Sequence, residues 1–287
     1  MKDSVLITGS SSGIGLETAL YLAERGFQVY ATMRNLGRRG RLDAEAARRK
    51  VQLQVLQLDV IDRATIEGAV RSIVEQSGGI YGLVNNAGII IQGYFEDLSD
   101  AEMRQVFETN VFGTMAVTRA VLPHMRAARR GRIVIMSSSV GRVAAPASSA
   151  YCASKFALEG FGEALALEVA PLGLQVVLVE PGLVRTELSG KNRNIAGRAL
   201  DPHGPYYEWF QKLQRTGDEE VRASPMSAVD VARTVYQALT ARRPHLRYVV
   251  RLRAKILIAL RRHLPGDLFE RIWSYEMTRR VTRPGRH

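Results

Sequence analysis

The sequence predicts a doubly wound parallel α/β fold on two observations. Short β-branched apolar runs alternate with amphipathic helix-period segments, and those runs are apolar almost throughout instead of alternating in polarity. A strand open to water on one face alternates; a continuous run is buried on both faces, as in a parallel sheet covered by helices. In chain order the strands read Val5–Thr8, Gln28–Thr32, Gln52–Leu58, Leu83–Asn85, Arg132–Ser137 and Gln175–Glu180. Helices are expected at Leu16–Arg25, Ala64–Gln76, Ala101–Arg126 and Tyr151–Ala170. A seventh strand, Arg247–Val250, follows a helix beginning near Ser227, and such a sheet binds ligands beyond the carboxyl ends of its strands.

Two segments fall outside this pattern. Leu183–Pro225 carries Gly190, Gly197, Pro202, Gly204 and Pro205 before an aromatic group ending at Phe210, and reads as an irregular substrate lid. The second is a basic extension, 251–287, appended to a catalytic domain over 1–250. The formal charge of the 287 residues is +12, and from Arg242 to His287 there are 13 Arg and Lys against 3 Asp and Glu. The excess therefore belongs to the tail and not to the fold. Within the tail, Leu252, Ile256, Ala259, Leu260 and His263 share one helical face, and Leu268, Phe269, Ile272, Trp273 and Met277 form a second stripe. These helices either pack on the domain and close its cleft, lie on an anionic membrane as a peripheral contact, or pair subunits. Nucleic acid is not expected, because the basic run carries no motif that reads bases. Cys152 stands alone, so no intrachain disulfide forms, and no run of about 20 apolar residues spans a bilayer. The opening residues are too short an apolar run for a signal peptide, so a cytoplasmic location is expected, free or at a membrane surface.

Between the first strand and first helix lies Thr8-Gly9-Ser10-Ser11-Ser12-Gly13-Ile14-Gly15. Gly9 suits a tight turn, Gly13 a close approach of backbone to a diphosphate, and Gly15 close packing of helix on strand. A dinucleotide's diphosphate would then meet the unpaired N–H groups of a helix N-terminus. At the end of the second strand, where a carboxylate would hold the ribose of NAD, stands Ala31-Thr32-Met33-Arg34-Asn35. Arg34 is either a solvated surface arginine or a partner for a 2′-phosphate, so NADP(H) is expected in preference to NAD(H).

Tyr151 and Lys155 sit four apart at a helix start and project from one face. A phenol is too weak an acid to serve as a base at neutral pH unless a cation stands near, which Lys155 supplies. Ser138, at a strand end, can polarise a substrate oxygen. Asn110, expected mid-helix, is either a buried polar residue satisfied by backbone or the holder of a relay water.

These residues carry a resemblance. Thr8–Gly15, Asp59-Val60, Asn85-Asn86-Ala87-Gly88, Asn110, Ser138, Tyr151 with Lys155, and Pro181-Gly182 together resemble the short-chain dehydrogenase/reductase family over Val5–Val250. The resemblance implies a Rossmann-type fold and an oxidoreductase interconverting alcohols with ketones or aldehydes. It implies Tyr151 as general acid/base, Lys155 as its activator, Ser138 as donor to the substrate oxygen and Asn110 in the relay. Cofactor contacts are implied for Gly9, Ser11, Ser12, Gly13, Ile14 and Gly15, and for Arg34. Asp59 and Val60 are implied at the adenine, and Asn86, Ala87, Gly88, Pro181 and Gly182 along the cofactor. Tyr151 and Lys155 also face it, with Val184 and Thr186 at the nicotinamide amide. No metal is implied. The wording of Val29–Arg34 and Tyr151–Gly160 is similar to the branch holding 17β-hydroxysteroid dehydrogenase type 1 and the retinol dehydrogenases. That branch implies an apolar steroid-like or retinoid-like substrate and a homodimer or homotetramer paired through Ala101–Arg126 and Tyr151–Ala170. A 3-oxoacyl thioester reductase and a noncatalytic NADP-sensing protein remain as alternatives. Cys152 is either a small packing residue or redox-active, and His203 either exposed or a substrate contact.

Overall fold

A computed structural model describes residues 2–185 and 194–282. Its main sheet holds seven parallel strands: β1 (Ser4–Ile7), β2 (Gln28–Met33), β3 (Gln54–Gln57), β4 (Gly82–Asn85), β6 (Gly131–Met136), β7 (Leu174–Pro181) and β9 (Arg247–Val250). Their order is β3-β2-β1-β4-β6-β7-β9. The chain winds outward from β1 to β3, crosses back and winds the other way from β4. The strand order therefore reverses between β1 and β4, where a crevice opens at the carboxyl ends.

Alternate residues of each strand enter separate cores. Val5, Ile7, Val29, Ala31, Val134 and Val177 pack beneath α1 (Gly13–Glu24) and α8 (Ala228–Thr240). Leu6, Tyr30, Leu83, Ile133, Ile135 and Leu178 pack on the other side beneath α3 (Arg63–Ser77), α5 (Gly113–Ala128) and α6 (Ser149–Val169). Burial on both faces is why the strands read as continuous apolar runs. The start of α3 is fixed by Asp62, whose carboxylate accepts from the N–H of Ala64 and Thr65.

Three features depart from expectation, and a fourth narrows readings that the sequence leaves open. The single helix expected at Ala101–Arg126 is broken: α4 (Asp100–Phe107) passes through a π-helical turn at Glu108–Phe112 into α5. The lid is not irregular throughout. It includes the two-residue strand β8 (Asn194–Ile195), paired in parallel with β5 (Ile91–Gln92), and the four-turn helix α7 (Tyr207–Arg222). A short helix α2 (Gly40–Arg48), not anticipated, precedes β3. The extension forms α9 (Leu252–His263) and α10 (Gly266–Thr282), but the α9 stripe of Leu252, Ile256, Ala259, Leu260 and His263 faces solvent. The helix packs through Ala254 and half-buried Leu257 and Ile258 instead. Among the described residues no helix is long and apolar enough to cross a membrane, and no cluster of His, Cys, Asp and Glu could hold a metal.

Candidate active site

One cavity of about 720 Å³ runs along the carboxyl ends of the strands. The glycine segment forms one end of it. Gly9 and Gly13 adopt φ of +71° and +58°, a left-handed backbone that glycine enters without steric cost. A Cβ on Gly15 would lie 2.3 Å from the Gly9 carbonyl and 2.4 Å from the Asn86 amide nitrogen. Gly15 thus lets the start of α1 approach both the loop after β1 and the end of β4. Ser12 caps α1 with no side-chain hydrogen bond, so the first N–H groups of this 12-residue helix point into the cavity unclaimed by a cap.

The loop is braced from β4. The Thr8 hydroxyl accepts from the N–H of Asn86 and Ala87, both at 3.0 Å, and the Asn86 amide donates to the carbonyls of Thr8 at 2.9 Å and Gly9 at 3.1 Å. Asn86 borders the cavity, yet its donor group is spent on holding the cradle. Ser11, Ser12, Ile14, Ala87 and Gly88 line the same end. At the tip of β2, Arg34 is exposed and lines the cavity together with Arg38, which sequence reasoning missed. Arg38 lies in a run with Arg39 and Arg41, where the sequence gives no sign of which cation turns inward. Asp59 and Val60 border the cavity from the end of β3; the Asp59 carboxylate also accepts from the N–H of Ile61.

Tyr151, Ser138 and Lys155 meet in the middle of the cavity. Ser138, two residues beyond β6, donates to the Pro181 carbonyl at 3.4 Å and accepts from the Val140 N–H at 3.3 Å, close to the Tyr151 phenol. Burial pushes that phenol up to about 12, with the neighbouring Ser138 hydroxyl opposing the shift. One turn along α6, the Lys155 ammonium donates to the Met136 carbonyl at 2.8 Å and stands 5.5 Å from the centre of the Tyr151 ring. Burial lowers it to about 8, against the pull of Glu159. Gly141 lets this helix approach, since a Cβ there would come within 3.0 Å of the Lys155 carbonyl.

Asn110 does not face the cavity. Fully buried in the π turn, it accepts from the Ile89 N–H at 2.8 Å and donates to the Ile89 carbonyl at 2.9 Å and the Ser154 hydroxyl at 3.0 Å. Through these bonds its side chain ties the β4–β5 segment to α6 beside Lys155. A Cβ on Gly88 would stand 3.2 Å from the Asn110 oxygen and 3.8 Å from the Lys155 nitrogen, which shows how closely these parts meet.

Pro181, Gly182 and Val184 line the far wall; Thr186 lies outside the described residues. The remaining wall comes from α7 and α10. Leu213, Thr216, Gly217 and Val221 meet Met277, and Arg280 reaches Glu220 at 2.9 Å across the two helices. The Trp273 indole N–H donates to the Ala144 carbonyl at 2.9 Å, and Phe210 anchors α7 in a separate small core with Ile91, Leu98 and Val106. Cys152 is buried against the Ala145 carbonyl and its thiol is raised by burial, as suits a packing residue. His203 is exposed and does not reach the cavity.

The glycine positions and the uncapped helix end fit a nicotinamide dinucleotide: the backbone there leaves room for a diphosphate and offers it N–H groups. Residues 3–196 match the family model described as short chain dehydrogenase. The chain is 39% identical to "Retinol dehydrogenase 8" of Bos taurus over 279 residues, which cover 93% of this chain and 88% of that one. It is 37% identical to "17-beta-hydroxysteroid dehydrogenase type 1" of Homo sapiens over 266 residues, 90% of this chain and 80% of that one. A solved short-chain dehydrogenase of Streptomyces avermitilis superposes with a TM-score of 0.79 at 31% identity, covering 99% of this chain and all of the other. The chain belongs to the short-chain dehydrogenase family, in the branch of these two relatives, and is an NAD(P)-binding oxidoreductase acting on alcohol and carbonyl groups.

Proposed function

We propose that the chain interconverts an apolar alcohol with its ketone or aldehyde, using NADP(H) in preference to NAD(H). The observation that carries the reaction is the meeting of Tyr151, Ser138 and Lys155 in one cavity with the glycine cradle. The dinucleotide, when bound, supplies or accepts the hydride at its nicotinamide. Backbone N–H groups at the start of α1 hold the diphosphate, while Asp59 and Val60 border the adenine. Lys155 holds the ribose hydroxyls and lends its charge to Tyr151. Ser138 donates a hydrogen bond to the substrate oxygen, and Tyr151 gives that oxygen its proton in reduction or removes it in oxidation. Asn110 is a positioning residue that fixes the segment carrying Gly88 and Ile89 against α6.

The preference for NADP(H) rests on Arg34 and Arg38 at the tip of β2, where no carboxylate stands to meet a ribose hydroxyl. An apolar substrate is supported by the wall of Leu213, Val221 and Met277 and by the relatives in this branch. Exposed Phe112, Phe156 and Leu167, on the helices expected to pair subunits, support a homo-oligomer. A single buried thiol is consistent with a cytoplasmic setting.

The test is NADPH and NADH oxidation against steroid ketones, retinal and medium-chain ketones. Tyr151→Phe is expected to abolish turnover while NADPH still binds; retained turnover refutes the assignment.

A further inference from the structure

We infer that α9 is a membrane-docking helix that seats the cavity wall on an anionic lipid surface. Resting on the reading of the cavity as a site for apolar alcohols, it names the surface from which such molecules arrive.

The helix has two apolar faces. One packs on the domain through Ala254, whose methyl would lie 3.8 Å from a Cβ built on Gly182 in the cavity wall. The opposite one, Leu252, Ile256 and Leu260 at i, i+4 and i+8, is turned to solvent at 69%, 50% and 45% exposure. At 3.6 residues per turn, Arg253 flanks this stripe on one side and Lys255 with Arg262 on the other, and all three are exposed. Arg261 adds a fourth cation, and α9 contains no Asp or Glu. The second helix of the extension also shows apolar groups outward, at Leu268, Ile272 and Tyr275.

Charge decides between the occupants. A second copy docked about a twofold axis would set this face against itself, bringing basic side chains onto basic side chains around the apolar contact. An anionic bilayer complements both parts, taking the stripe into the acyl boundary and the cations at the phosphates. The docking helix is also tied to the cavity. Arg251, which starts α9 at φ +120°, donates to the Ser224 hydroxyl at 2.8 Å, and Ser224 donates to the Leu183 carbonyl at 2.7 Å. A lipid-soluble substrate leaving the bilayer would thus meet the wall formed by Gly182 and Leu183 one helix thickness away, about 10 Å.

The experiment is flotation of the full chain with vesicles of phosphatidylcholine alone and of phosphatidylcholine with 30% phosphatidylglycerol. The wild type is expected to float with the anionic vesicles and to bind the neutral ones far more weakly. Each cation near the surface contributes about fivefold, so Arg253→Gln/Lys255→Gln/Arg262→Gln is expected to weaken binding by about 100-fold. Ile256→Ser/Leu260→Ser is expected to weaken it by more than about tenfold. All five side chains are exposed, so both variants are expected to fold and to keep wild-type turnover of a water-soluble ketone. The inference falls if the wild type does not float with anionic vesicles or if both variants float as it does. It also falls if sedimentation shows a wild-type dimer that the Ile256→Ser/Leu260→Ser variant loses. Absence of carbonyl turnover in a wild type that still floats would refute the enzymatic reading and leave the docking face standing.

Discussion

Replacing Lys155 by Met is expected to make the protein more stable near neutral pH while destroying its activity. Burial holds the ammonium at about 8 against an ordinary 10.5, so the unfolded chain binds that proton more tightly than the folded one. A lysine shifted down costs stability wherever the unfolded form is charged. The cost is complete below about pH 8 and fades as pH rises toward 10.5. With those two values the linkage integral gives about 3 kcal/mol at pH 7 and about 1 kcal/mol at pH 10. Met fills similar space without a charge but leaves the Met136 carbonyl without its 2.8 Å donor, a loss of about 1–3 kcal/mol that does not change with pH. The net gain at pH 7 is therefore up to about 2 kcal/mol. The difference between variant and wild type shrinks by about 2 kcal/mol on going to pH 10, whatever the carbonyl costs. Urea unfolding of both proteins without nucleotide, at the two pH values, measures that double difference. A variant whose stability relative to wild type is the same at pH 7 and pH 10 would show that the ammonium is not desolvated as the fold implies.

Further outcomes follow from the cavity walls. Arg34→Ala and Arg38→Ala are each expected to raise KM for NADPH about 10- to 100-fold, the worth of a charge-assisted hydrogen bond, with NADH kinetics unchanged; equal effects on both cofactors would remove these residues from a 2′-phosphate site. Phe210→Ala empties the small core under α7, a loss of about 3–5 kcal/mol, and is expected to expose the 194–222 segment to protease and raise KM for the carbonyl before the main sheet unfolds. Simultaneous loss of the whole fold would refute a separate lid core. For the alcohol-to-carbonyl direction, the rate is expected to climb about tenfold per pH unit from pH 6 toward 8 and then flatten, while reduction stays level over that span; parallel profiles would show that the Tyr151 proton is not the one titrating.

The parts legible in sequence are those whose physics is local or repeated. Strand runs buried on both faces, glycines at left-handed backbone, and a tyrosine and lysine one turn apart all leave marks within a few residues. The π turn at Glu108–Phe112 leaves none, because Asn110 is drawn out of α-helical register by partners at Ile89 and Ser154, far along the chain. The lid helix hides for a related reason. Only one of its side chains, Phe210, is fully buried, and the Pro and Gly residues before it mask an amphipathic period that the helix itself carries clearly. Asn86 is readable as a member of a cofactor motif, but its bond to the Gly9 carbonyl exists only once β1 and β4 are side by side. In α9 the periodicity is sound but what each face meets is not written in it. A helix with two apolar faces gives no sequence sign of which one the sheet will take.

The opposite shifts of Tyr151 and Lys155 have one cause and a directional consequence. Burial favours the neutral form of each group, carrying the phenol to about 12 and the ammonium to about 8. Near pH 7 the phenol therefore keeps its proton while Lys155 stays mostly charged, which is the protonation state that reduction of a carbonyl requires. Removing that proton to run the alcohol direction costs about 7 kcal/mol at pH 7, and the price falls by 1.36 kcal/mol with each unit of pH. In the proposed mechanism the gain stops above about 8, where Lys155 begins to lose its own charge. Ser138, whose hydroxyl donates to the Pro181 carbonyl at 3.4 Å, must turn it toward a substrate oxygen, and that exchange of partners lets the proton of Tyr151 and the donor of Ser138 converge on one atom. In the proposed mechanism the buried site thus holds Tyr151 protonated near pH 7, the form in which it donates to a carbonyl oxygen.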